Sequence, residues 1–452
     1  MGIRYRSRTH STNTWFTGGH SKMSEISIDA RSWEFLEGAT PEAATFASLA
    51  IRIDGLLVTE VSDKVTRSVR DVIRVSGYPL ALWFASNWWR LRWEGQREGI
   101  DWELSHVMGS AGGGYVWPNL VFSSDGEQIE VISRTSGTCE WEPVEYLRHG
   151  HRFLRASDFE RGVAQFIEVV LARLSDAGHM ATELCEVWAA VRAERSDQDL
   201  AMKRRFEALL GFDPDEAPPV LMDAYLRAAQ QFGHETASEL AAASTNEAPP
   251  DWQALKQALQ DADLLTVPEY AKVKAEVAAA VGDTTVPWRR GEAAARAVRV
   301  VLGKPQGPLK GGELRSWLGQ DPGELASGMF PQATLGLRSS DAGRIRVMPS
   351  STRKTTSRFE SARIIADDLL AAGAGDTLLA ATRSATARQR LQRAFAAEFL
   401  LPLPDLEALG HNPNAEAIED LAAEYEVSTA MVITRLVNKR RLSRDALFDL
   451  WD

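Results

Sequence analysis

Residues 395–402 read Phe395-Ala396-Ala397-Glu398-Phe399-Leu400-Leu401-Pro402, and before them residues 358–367 read Arg358-Phe359-Glu360-Ser361-Ala362-Arg363-Ile364-Ile365-Ala366-Asp367. Apolar spacing predicts a helix around each, over 386–400 and 358–372. Further helices are expected over 251–264, 267–281, 291–302, 312–318, 415–426 and 428–438, with one strand at 343–348. Residues 251–452 therefore read as a mostly helical domain with a small sheet.

Upstream, Ser244-Thr245-Asn246-Glu247-Ala248-Pro249-Pro250 reads as a linker. Residues 151–245 before it are helical in pattern. Phe159, Val163, Phe166, Val170 and Leu174 follow at helical spacing, Gly178 suits the stop, and Ser157 with Glu160 fits a capping box. Amphipathic stretches follow at 181–194 and 200–210. Residues 26–150 hold eight of the 14 tryptophans, which marks them as a unit of their own. They contain strand-like runs at 50–60, 115–122 and 128–134, with Ser124-Asp125-Gly126 as a hairpin turn. The expected fold class is α+β: a Trp-rich α/β-mixed N-terminal domain (26–150), a helical middle (151–245) and the C-terminal domain (251–452).

The chain has 452 residues, room for two to four domains at ~100–200 residues each. With 44% apolar and 25% charged residues, a disordered chain is excluded. Two cysteines, Cys139 and Cys185, build neither a disulfide framework nor a cysteine-rich zinc site, which points to a reducing compartment, the cytoplasm. No apolar run approaches the ~18 residues of a membrane span. The net charge of −11 argues against a general nucleic-acid coat. Residues 1–25 read as a disordered leader. The first 22 carry Arg4, Arg6, Arg8 and Lys22 without an acid and lack the apolar stretch of a secretory signal, and Met23 is an alternative start.

Four segments of the last region, in order and spacing, resemble the ImmA/IrrE family of zinc metallopeptidases. The first is Val286-Pro287-Trp288-Arg289-Arg290-Gly291-Glu292-Ala293-Ala294-Ala295-Arg296, running on to Leu302-Gly303 and Gly307-Pro308. The second is the strand at 344–347 followed by Arg358-Phe359-Glu360-Ser361-Ala362. The third is the 395–402 segment, and the fourth is Leu421-Ala422-Ala423-Glu424-Tyr425-Glu426-Val427-Ser428 with Arg435-Leu436. The resemblance covers residues 286–440 and implies a metallopeptidase fold. Its chemistry needs His-Glu-x-x-His on a helix: two histidines on one face hold zinc, and the glutamate activates water.

In register, Arg363 and Asp367 stand at the histidine positions and Ile364 at the glutamate position. The family's third ligand, a carboxylate on the helix before the Phe-Ala-Ala segment, has no counterpart. Residues 381–394 contain no Asp or Glu and carry Arg383, Arg388, Arg390 and Arg393 instead. After His234 the only histidine is His411, and no cysteine follows. Asp367 and Asp368 are adjacent carboxylates that do not define a cation site. Arg363 and Asp367, one turn apart, suit an i,i+4 ion pair. The resemblance thus implies a pseudo-metallopeptidase with no catalytic residue, no metal and no cofactor.

Other constellations carry two readings each. His234-Glu235-Thr236-Ala237-Ser238 is half of the zinc motif and reads as chance. In Trp83-Phe84-Ala85-Ser86-Asn87-Trp88-Trp89-Arg90-Leu91-Arg92-Trp93, the rings form either a platform for bases or a partner, or a buried Trp-rich helix, and the buried helix is preferred. Gly109-Ser110-Ala111-Gly112-Gly113-Gly114-Tyr115 is a turn without the Lys-Ser/Thr of a phosphate loop. His149-Gly150-His151 is weak as a metal pair. Residues 415–436 have a helix-turn-helix cadence, but the second helix is largely apolar, so packing is preferred over base contact.

The expected function is a non-catalytic regulatory or interaction protein. Active ImmA/IrrE members cleave or neutralise repressor-like regulators in prophage, mobile-element, stress and phage-defence settings. The implied partner is accordingly a protein, a transcription regulator or a defence-complex subunit, with no membrane involved. Arg383, Arg388, Arg390, Arg393, Trp88, Trp89, Arg90 and Arg92 are the expected contacts to a partner or to phosphate. Two alternatives stay open: an active zinc endopeptidase acting on a repressor-like protein, and a nucleic-acid-binding component of a defence or mobile-element complex.

Overall fold

A computed structural model describes residues 25–34, 36–134, 143–244, 250–326, 328, 330, 332–370 and 375–443. The leader apart from Glu25, Cys139 and linker residues 245–249 lie outside the described residues. Every strand pairing described is antiparallel, and helices pack on the sheets, which is an α+β arrangement.

Strand Phe46–Ile53 is the hub of the first sheet, pairing with Ile26–Trp33, Leu56–Leu57 and Ile73–Ser76. The run expected at 50–60 folds back at Asp54-Gly55, both at positive φ (49° and 77°), the conformation a two-residue hairpin requires. Strands Leu120–Ser124 and Gln128–Ser133 pair across the Ser124-Asp125-Gly126 turn. There the Asp125 carboxylate accepts from the Glu127 and Gln128 amides at 3.0 and 2.7 Å. The strand expected from 115 begins only at Leu120, because Pro118 has no N–H for a ladder.

Helix Ala156–Asp176 corrects the capping-box expectation. Ser157 lies inside the helix, the N-cap is Arg155, and no side chain caps it. Glu160 turns outward to Arg92 and Arg195, so tertiary ion pairs outcompete the local cap. The first hydrophobic core also does not stop at residue 150. Phe159, Val163 and Phe166 of this helix, and Leu184 and Trp188 of helix Glu183–Ser196, join the cluster formed by the strands and helix Gly77–Ser86.

Helices Gln198–Leu210, Pro219–Phe232, His234–Ala242 and Trp252–Gln260 contribute to a second core. It runs onto one face of the C-terminal sheet through Ala333, Leu335, Met348, Leu378 and Ala380. That sheet has the order Asp263–Thr266, Arg344–Met348, Ala333–Arg338, Leu378–Thr382. Its opposite face, with Ile345, Val347, Leu379 and Ala381, packs on helices Pro287–Val301, Lys354–Leu370 and Ala387–Leu400. A strand thus replaces the end of the helix expected over 251–264, because Leu265 fills the sheet core while its neighbours pair with Arg344–Met348. Helices Pro287–Val301 and Ala387–Leu400 cross at Gly291, where a Cβ would lie 2.3 Å from the Leu391 carbonyl. No helix among the described residues is long and apolar enough to cross a membrane.

Candidate functional site

Helix Lys354–Leu370 is tied to the sheet by Glu360, which accepts from Ser350 at 2.9 Å and from Thr334. One turn on, Ile364 enters the core against the sheet; a Cβ on Gly336 would come within 2.6 Å of it. Arg363 is 6% exposed. Its Nη2 donates to the Thr382 carbonyl at 2.6 Å and to Oε1 of Gln389. Gln389 also accepts from the Thr382 amide at 2.8 Å and donates to the Ala380 carbonyl at 2.9 Å. Burial and the nearby Arg393 push the Arg363 guanidinium down to about 9, so it remains a cation at neutral pH.

Asp367, 1% exposed, does not form the expected i,i+4 pair. Arg388 on the neighbouring helix takes it instead, with Nε at 2.6 Å and Nη2 at 2.7 Å from its two oxygens. A two-pronged guanidinium fork fits a carboxylate better than a pair along one helix, and Arg363 is already committed to the edge strand. Burial disfavours charge on Arg388, but Asp367, Glu239 and Asp376 outweigh it and hold its pKa above the usual value.

Helix His234–Ala242 closes this cluster from the other side. The Thr236 amide donates to Asp376 at 3.0 Å, and its hydroxyl donates to the Leu378 carbonyl at 2.6 Å while accepting from Arg388 at 3.1 Å. Thr386 donates to Glu239 at 2.6 Å, and burial pushes that carboxyl up against the pull of Arg388. The approach depends on Gly233, at φ 112°, where a Cβ would sit 1.8 Å from an Asp376 oxygen. The helix bearing the half-motif therefore docks on strand Leu378–Thr382 through Thr236 and Glu239, while Glu235 pairs outward with Arg205 at 2.9 Å.

The zinc implied by the resemblance does not fit these side chains. Arg388 reaches both Asp367 and Asp376, Asp368 turns away to Arg338 at 2.6 Å, and Arg363 places a fixed cation on the same helix. Among the described residues no three His, Cys, Asp or Glu side chains converge as they would around a metal ion.

The other singled-out residues lie in several places. Arg383 is exposed. Arg390 pairs with Asp125 at 3.1 Å, where the Ser124-Asp125-Gly126 hairpin also binds the Ala387 amide through the Asp125 carbonyl at 2.8 Å. Arg393 donates to the Ser384 carbonyl at 2.9 Å. The aromatic stretch breaks at Asn87 into helices Gly77–Ser86 and Trp88–Trp93. Trp88 is buried edge-on against Trp188, with centroids 5.1 Å apart, and Trp89 is buried with its N–H on Glu194 at 2.7 Å. Arg90 pairs with Glu94 at 2.7 Å, and Arg92 pairs with Glu160 at 2.5 Å and stacks over Trp93. Trp88, Trp89 and Arg90 are buried, and Arg92 and Trp93 are half-buried.

Sequence reasoning missed a cleft of about 880 Å³ beside Arg393. Trp288, Phe359, Ala394, Ala397 and Met431 form its apolar wall, and Arg390, Arg393, Arg435 and Lys439 supply cations. Phe153, from strand Gly150–Arg155, reaches it from the first half of the chain. Its lining is scattered along the sequence, and only Arg390 and Arg393 carried a local signal. Comparison with protein families, curated proteins and solved structures finds no match to this chain.

Proposed function

We propose that the chain is a non-catalytic interaction protein on an ImmA/IrrE-like pseudo-metallopeptidase scaffold. It acts in the cytoplasm, in a prophage, mobile-element, stress or phage-defence setting, and binds a protein partner such as a transcription regulator. One observation carries this reading: the positions where hydrolysis needs His, Glu and His hold Arg363, Ile364 and Asp367, each committed to buried intramolecular contacts. The element order supports the scaffold: helix Pro287–Val301, the paired strands Ala333–Arg338 and Arg344–Met348, helix Lys354–Leu370, strand Leu378–Thr382, then helix Ala387–Leu400. The nucleic-acid alternative is weakened because Arg388 and Arg390 are paired with carboxylates of this chain.

Metal analysis of the purified full chain, paired with a fluorescent-casein cleavage assay, tests it. The expected result is no bound zinc and no proteolysis that a chelator removes. Stoichiometric zinc with chelator-sensitive cleavage would overturn the reading in favour of the endopeptidase.

A further inference from the structure

We propose that the cleft between helices Ala387–Leu400 and Thr429–Asn438 is the docking groove for an acidic, amphipathic segment of a partner protein, with a carboxylate set among Arg393, Arg435 and Lys439 and apolar side chains laid on Trp288, Phe359 and Met431. This deepens the interaction reading and rests on it in taking the partner to be a protein.

Charge complementarity carries the proposal. Four cations line the groove: Lys439 is held by Glu292 at 2.7 Å, Arg390 by Asp125 and Arg435 by Glu398, which leaves Arg393 for an incoming anion. Arg393 donates only to a backbone carbonyl, so no carboxylate neutralises it at ion-pair distance among the described residues. Arg435, 5% exposed, directs Nη2 to Glu398 and leaves its Nε without an acceptor among the described residues. A half-buried cation without a counter-charge, here Arg393, is costly, and an incoming anion offsets that cost. Burial and Arg390 push the Arg393 guanidinium down, the direction a nearby anion would reverse. Two helix starts, near Thr355 and at Ser428, also open on the groove and add their positive ends.

The apolar wall decides between anionic partners. Trp288 is 40% exposed, large for an indole, and lies in the groove with Met431 and Phe359. A nucleic acid would need a row of free cations along its phosphates, and this chain carries a net charge of −11. An amphipathic peptide uses both walls together, in the helix-in-groove manner. The volume is within the ~300–1,000 Å³ typical of binding pockets, enough for a few side chains of such a segment. Phe153 joins the wall, so the first half of the chain contributes one ring to the groove.

The test is fluorescence anisotropy on the full chain, using a short labelled peptide with Glu and Asp on one helical face and Leu and Trp on the other. A Lys-for-acid version and a shuffled version serve as controls. The acidic peptide is expected to bind in a salt-weakened manner and the controls not. Trp288→Ala and Arg393→Gln are each expected to weaken binding ~tenfold, with circular dichroism showing an unchanged fold. If either variant unfolds, Lys439→Gln takes its place. Equal binding of acidic and basic peptides, no binding at all, or indifference to these substitutions would overturn the proposal. So would displacement by duplex DNA, which assigns the groove to nucleic acid. Binding seen only after deleting residues 444–452, which read Arg444-Asp445-Ala446-Leu447-Phe448-Asp449-Leu450-Trp451-Asp452, would also overturn it and make the chain's own acidic segment the occupant. Each of these results leaves the zinc and casein outcome, and so the non-catalytic reading, independently decided.

Discussion

Two buried charge clusters, one in each half of the molecule, differ in how completely they are satisfied. In the first half, Arg90 holds Oε2 of Glu94 at 2.7 Å, while its Oε1 has Arg97 at 3.4 Å but no hydrogen-bond partner among the described residues. His106 stacks on Trp102 at 4.4 Å and shares a bond between Nδ1 and the Trp102 carbonyl at 2.9 Å, while its Nε2 stands 3.7 Å from Glu94 without a hydrogen bond. Burial pushes Glu94 up and His106 down to about 3. In the second half, both oxygens of Asp367 are taken by one guanidinium, and Thr236, Thr386 and Gln389 complete the surroundings. The His106–Glu94 pair thus keeps a gap of 3.7 Å, whereas Asp367 is gripped at both oxygens, with the Nε of the neighbouring Arg363 left unpaired among the described residues. Residue type alone does not make a centre; the pairing around it decides whether it titrates or holds.

The largest expected effect breaks the locked cluster. Asp367→Ala strands Arg388 and should cost ~3–5 kcal/mol in urea unfolding, while replacing both Asp367 and Arg388 by Leu should recover most of that loss. A loss under ~1 kcal/mol for the single change would remove the contrast between the halves. The next prediction concerns pH. His106 has a folded-state pKa below its unfolded value of ~6.5, so the unfolded chain binds the extra proton. Stability should therefore fall as pH drops from ~6.5 toward 3, at up to ~1.4 kcal/mol per unit from this residue. His106→Phe, which keeps the stack on Trp102, should flatten that part of the slope when unfolding is compared between the two chains. The positioning of the helix that carries Arg388 is tested by Gly291→Ala. Helix propensity favours alanine by ~1 kcal/mol, but the Leu391 carbonyl blocks its Cβ, so a net loss of ~1–3 kcal/mol is expected in the same assay. Smallest of all, Arg383→Ala should shift stability by no more than ~0.5 kcal/mol in a thermal melt, since its side chain is exposed.

Legibility in the sequence followed the way each segment is covered. Helix Ala156–Asp176 was readable because one side is apolar and the other wet, and the Ser124-Asp125-Gly126 hairpin was readable from its turn chemistry. Strands Ala333–Arg338 and Leu378–Thr382 were not. Both faces of their sheet are covered, so Leu378, Leu379, Ala380 and Ala381 lose the alternation that marks a half-exposed strand. At the site, Arg363, Ile364 and Asp367 could be read on one helix, but the partner of Asp367 could not. Arg388 lies 21 residues away, and an i,i+4 rule sees only one helix. The docking of Thr236 on Asp376, 140 residues apart, left no local trace, and neither did the cleft.

The contact between Asp125 and Arg390 joins residues 265 positions apart. During synthesis at ~5–20 residues per second, the tip of the Asp125 hairpin waits roughly ten to fifty seconds for its helix to be made. Throughout that interval the Asp125 and Glu130 carboxylates lack Arg390 and keep only their partners in the first half, the Glu127 and Gln128 amides and His151. Ribosome pausing or a chaperone acting between those two moments would govern whether the halves ever close.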